Sequence, residues 1–72
     1  IFPNPGDGRF TLSTTISGNK SIEVLDISGK QLLERNSDKL EIELNINNYP
    51  SGLYFVLIST ETNRQIFKVI KQ

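Results

Sequence analysis

The chain has 72 residues, with 8 Lys plus Arg against 8 Asp plus Glu and no Cys, His, Met or Trp. These numbers allow one small domain and exclude a disulfide framework, thiolate or imidazole metal sites, a Ser–His–Asp triad and a Cys nucleophile. A formal net charge of zero excludes bulk electrostatic attraction to nucleic acid or an anionic membrane, and no apolar run approaches the about 20 residues of a spanning helix.

Phe2-Pro3-Asn4-Pro5-Gly6-Asp7-Gly8 opens the chain. Its prolines fix φ and lack an N–H donor, and its glycines permit positive φ, so it reads as an extended lead-in followed by a tight turn. With Ile1 in place of an initiator Met and no signal peptide pattern, residues 1–72 are expected to be one domain cut from a longer polypeptide.

Arg9 to Ile16 alternates: Phe10, Leu12 and Ile16 share one face, and Arg9, Thr11, Ser13 and Thr15 share the other. That is the pattern of a half-buried strand. Ser17-Gly18-Asn19-Lys20 is a turn. Ser21 to Ile27 is the second strand, with Ile22 and Val24 in phase and Leu25 and Ile27 on the opposite face. Asp26-Ile27-Ser28-Gly29 has the Asp-first, Gly-fourth order of a type I turn, with the Asp carboxylate positioned to accept a backbone N–H two residues on. Lys30 to Glu34 returns as the other arm of a hairpin.

Arg35 to Asp38 reads as a polar loop. Leu40, Ile42, Leu44 and Ile46 then alternate with Glu41, Glu43, Asn45 and Asn47, a pattern a helix would scatter around its circumference. Asn47 to Gly52 is a loop closed by Pro50-Ser51-Gly52, with Gly52 suited to positive φ. Leu53 to Ser59 is continuously apolar and reads as a central strand covered on both faces. Glu61 to Arg64 is a hairpin turn. Gln65 to Lys71 is the last strand, with apolar residues in both phases (Ile66 and Ile70 against Phe67 and Val69), so its inward face is left open. The expected fold is all-β, an antiparallel β-sandwich of six strands, or seven if Ile1-Phe2 pairs.

The ordered signals resemble a known family. They are Pro3-Asn4-Pro5 with Gly8 and Phe10; Ile22-x-Val24-x-Asp26-x-x-Gly29-Lys30; Leu44-x-Ile46-x-x-Tyr49-Pro50-x-Gly52-x-Tyr54; and Lys68-Val69-Ile70-Lys71. Together they span nearly the whole chain and resemble the type A C-terminal sorting domain of the type IX (Por) secretion system of Bacteroidota. One departure is Tyr49, where an aliphatic residue is more usual. The resemblance implies a seven-stranded Ig-like sandwich that ends a larger exported protein. It also implies recognition by outer-membrane translocation machinery, cleavage upstream of Pro3 by a surface sortase, and passage through the periplasm to the cell surface or beyond.

No catalytic, cofactor or metal site is expected. Pro3, Asn4, Pro5, Gly8, Asp26, Gly29, Lys30, Pro50, Gly52 and Tyr54 are read mainly as shapers of turns and core, with the Tyr54 hydroxyl needing a backbone acceptor. Lys68, Val69, Ile70, Lys71 and Gln72 are the candidate recognition residues, through β-augmentation at the last strand, although edge lysines also serve simply to discourage aggregation. The alternative reading is a carbohydrate- or protein-binding accessory module of a secreted hydrolase or adhesin. Against it, 2 Tyr and 4 Phe with no Trp are few aromatics for a flat binding platform.

Overall fold

Alternation of apolar and polar residues builds the strands and decides which face each one buries. The computed structural model describes residues 7–72. The lead-in at Pro3, Asn4 and Pro5 and the suggested strand at Ile1-Phe2 therefore lie outside the described residues. Six strands follow: β1 Arg9–Ser13, β2 Lys20–Leu25, β3 Gln31–Ser37, β4 Glu41–Asn45, β5 Gly52–Ser59 and β6 Arg64–Lys71. Every pairing is antiparallel. β1 pairs with β4 in one sheet, and the other sheet has the order β3-β2-β5-β6.

The two sheets face each other across one apolar layer. Phe10 and Leu12 of β1 and Ile42, Leu44 and the following Ile46 on the β4 side meet Ile22, Val24, Tyr54, Val56, Ile58 and Val69 of the larger sheet. The chain is thus an all-β antiparallel sandwich, as its sequence pattern predicts. β5 lies between β2 and β6, which explains its unbroken apolar run. Tyr54, Val56 and Ile58 face the core, while Leu57 is buried outside that cluster.

Several boundaries differ from the sequence expectation. β1 stops at Ser13 because the Thr14 hydroxyl accepts the Ile16 N–H at 3.0 Å and bends the chain, yet Ile16 still packs against the core. Lys20 is the first residue of β2 and is buried, instead of standing in a turn. Arg35, Asn36 and Ser37 extend β3, paired with Ile22, Ser21 and Lys20, instead of forming a loop. Arg35 also ties the sheets together, its Nη1 donating to the Glu43 carbonyl at 2.6 Å. Leu40 continues the alternation of β4 but lies before the strand and is exposed. Ile27 is likewise exposed, because β2 ends at Leu25 and Ile27 sits in the turn.

That turn is held by one carboxylate. Asp26 Oδ1 accepts the Ser28 N–H at 2.9 Å, the Ser28 hydroxyl at 2.6 Å and the Lys30 N–H at 3.0 Å. The Gly29 N–H donates to the Asp26 carbonyl at 3.0 Å, and Gly29 takes φ +89°, the left-handed residue that follows a type I turn in a bulged hairpin. Beyond it the register slips, with Leu25 opposite Gln31 and Val24 opposite Leu33, so Leu32 is the extra residue.

The Ser28 hydroxyl, and after it the Lys30 N–H, hold the Asp26 carboxyl below its ordinary value of 3.8. A depressed folded-state pKa adds stability above the unfolded value of about 3.9, and that stability is lost as pH falls through the folded value. Asp26→Asn keeps an acceptor but does not titrate. Melting temperatures measured from neutral pH into the acid limb should therefore fall less steeply for Asp26→Asn than for the parent. Parallel acid limbs would contradict this role.

Candidate functional site

The registers bring residues far apart in sequence to one end of the sandwich. Leu25 pairs with Gln31 on one side and Phe55 on the other, Gly52 pairs with Lys71, and Arg9 pairs with Asn45. Gly8, the Asp26–Lys30 turn, the 46–52 loop and the end of β6 therefore share a pole. Turn residues from each of the spaced motifs (Gly8, Asp26, Gly29, Lys30, Pro50, Gly52 and Lys71) gather there.

Their contacts are mutual. The Ile46 N–H donates to the Gly8 carbonyl at 2.7 Å, and the Tyr49 N–H to the Ile46 carbonyl at 3.1 Å. The Tyr54 hydroxyl donates to the Pro50 carbonyl, which anchors the loop to the strand it feeds. Gly52, with φ +147°, opens β5 opposite Lys71. Lys30 contributes through its backbone, accepting the Asp26 N–H at 3.0 Å as well as donating to the Asp26 carboxylate.

Tyr49 takes part as well. Its hydroxyl donates at 3.1 Å to the carbonyl of Leu32, the extra residue of the β3 bulge. An aliphatic side chain at this position has no hydroxyl to donate to that carbonyl. The signal was in the sequence, as a tyrosine within a loop, but only the bulge supplies its acceptor.

The last strand divides into two rows. Phe67, Val69 and Lys71 face inward: Val69 belongs to the core and Phe67 packs against it. Lys71 is half-buried, and its ammonium donates to the Asn47 carbonyl at 3.0 Å and to the Tyr49 carbonyl. Ile66, Lys68 and Ile70 face outward, and Gln72 is exposed beyond the strand. Ile66 is 65% exposed and Ile70 46%. Across the ladder, Ile66 stands opposite Leu57, Lys68 opposite Phe55 and Ile70 opposite Leu53. This produces an apolar outer face with a lysine in its middle row.

Of the candidate recognition residues, Lys68, Ile70 and Gln72 are thus exposed, whereas Val69 and Lys71 are built into the fold. Among the described residues, no group of three His, Cys, Asp or Glu is placed to hold a metal ion. Among the described residues the hydroxyl at the pole held against a carboxylate is Ser28 on Asp26, in an exposed turn with no cleft around it, and the other polar groups named there bond mostly to backbone. The pole's distinguishing property is shape.

Comparison with known proteins adds two findings. The sequence model of a family described as "Secretion system C-terminal sorting domain" matches residues 1–72. An endo-acting ulvan lyase of Formosa agariphila is 26% identical over 70 residues, which cover 94% of this chain and 13% of that protein.

Proposed function

Because the chain belongs to the secretion system C-terminal sorting domain family over its full 72 residues, we propose that it acts through a folded surface and catalyses nothing itself. The family is that of the type IX sorting tails of Bacteroidota. Such a tail is a C-terminal secretion signal that directs its cargo to the cell surface or the extracellular space. Residues 1–72 form the terminal domain of a larger polypeptide. An upstream cargo crosses the periplasm with this domain attached, outer-membrane machinery engages the domain, and a surface sortase cuts before Pro3.

The observation that carries this reading is a family match spanning the whole chain. A second observation weighs against the accessory-module alternative: among the described residues every aromatic side chain is buried or half-buried, which leaves no exposed platform for sugar stacking. The partner-facing surface is the outward row of β6, Lys68 and Ile70, with Gln72 beside it. Apolar side chains there supply contact area, and Lys68 adds charge specificity.

The test is a fusion of this chain behind a signal peptide and a reporter, expressed with and without the type IX translocon. The reporter is expected at the surface or in the medium only when the translocon is present. Retention in the periplasm of both strains would overturn the sorting role. In the same assay, a Lys68→Glu, Ile70→Ser double variant that keeps its melting temperature is expected to lose most export. Full export of that folded variant would move recognition away from β6.

A further inference from the structure

The inward row of β2 runs Lys20, Ile22, Val24. The last two pack in the core, whereas the first is a lysine with 2% exposure. Its Nζ donates to the Gly18 carbonyl at 2.9 Å, the sole hydrogen-bond acceptor it has among the described residues. An ammonium has three N–H donors. One carbonyl leaves two of these donors to be met from the cleft beside it, and an apolar side chain here would simply extend the core.

Lys20 also lines an open cleft at the end of the sandwich opposite Lys71. The cleft runs between the loop before β2 and the turn joining β5 to β6, and its walls carry Thr15, Ser17, Asn19, Asn36, Thr62 and Asn63. These are hydroxyl and amide side chains, each able to donate and accept. Within this lining Lys20 is the sole cation and Glu61 the sole carboxylate.

We propose that the cleft binds a small hydroxylated carboxylate. The Lys20 ammonium serves as counter-ion to the ligand carboxylate, and the hydroxyl and amide rim hydrogen-bonds the ligand hydroxyls. One buried positive charge matches one negative charge, and a rim of hydroxyls and amides with the single carboxylate of Glu61 favours a polyol monoanion over a bare multivalent anion. This inference does not depend on the sorting role, because the cleft and the motif pole lie at opposite ends.

The test is an amide-shift titration of the 72-residue chain with gluconate, with sorbitol and sodium chloride as controls. Saturable shifts in the millimolar range are expected at residues 17–21 and 59–63 with gluconate and with neither control. Lys20→Met replaces a buried charge with an apolar chain of similar length and is expected to remain folded. Its binding should weaken by about tenfold or more, the effect of removing a charge-assisted contact. Thr62→Ala, on the exposed rim, gives a second variant that leaves Lys20 in place, and it should weaken gluconate binding several-fold. Equal shifts with sorbitol, absence of saturation, or unchanged affinity in Lys20→Met would overturn the proposal.

Discussion

Deleting Val69 to Gln72 is expected to unfold the domain. Val69 is 1% exposed in the core, and its burial is worth about 1.5–3 kcal/mol. The deletion also removes the pairs Gly52–Lys71, Leu53–Ile70 and Tyr54–Val69. With Lys71 go the hydrogen bonds to the Asn47 and Tyr49 carbonyls, and a bond from a charged donor contributes about 1.5–3 kcal/mol, less where solvent competes. The combined loss is comparable to the about 3–5 kcal/mol that a core of this size supplies. Circular dichroism should show no cooperative melt for the truncated chain. A melt close to that of the parent would refute the role given to the β6 end.

It follows that loss of export on truncation would report a lost fold as readily as a lost docking face. Point substitutions separate the two. Lys71→Met should lower the melting temperature, because it leaves two loop carbonyls without their ammonium. Gln72→Ala, beyond the strand and exposed, should leave stability within about 0.5 kcal/mol, as surface substitutions generally do.

The second large effect is expected at Gly8. Its φ is +118°, and a Cβ there would lie 2.3 Å from Asn47 Oδ1, 3.0 Å from Lys71 Cε and 3.2 Å from Asn47 Cα. Gly8→Val therefore adds backbone strain of about 1–3 kcal/mol to displacement of Asn47 and Lys71. The expected loss is about 3 kcal/mol, or a fall of about 12–24 °C in melting temperature. Gly29→Ala is the control: its φ is +89°, but nothing lies within 4 Å of the added Cβ. It should cost only the left-handed backbone penalty of about 1–2 kcal/mol. Equal losses at the two positions would show that crowding at Gly8 contributes nothing.

Much of the fold was legible wherever one face of a strand is buried and the other wet. Phe10 with Leu12, Ile22 with Val24, and Ile42 with Leu44 and Ile46 alternate for that reason. The phase of β6 was not legible, because the outer face of the larger sheet is apolar as well: Ile66 and Ile70 balance Phe67 and Val69, and period two loses its contrast. Arg35 to Ser37 looked like a loop because edge strands tolerate polar residues, and these three carry no apolar alternation although they continue the β2–β3 hairpin to its far end. Leu40 shows the converse, a periodicity that outlasts its strand. The motifs were readable one at a time as turns. Their meeting at one pole was not, since it depends on the register of every antiparallel pair.

The Lys71 clamp on the 47–49 carbonyls has a further consequence, for timing. It closes only after the last strand has paired, and it joins the chain's final turns to a loop more than twenty residues earlier in sequence. The clamp therefore depends on the β5–β6 ladder, which presents Lys71 to the loop. Under the proposed sorting role, a partner docking on the outward row of β6 would meet a paired last strand only in a chain whose clamp can close.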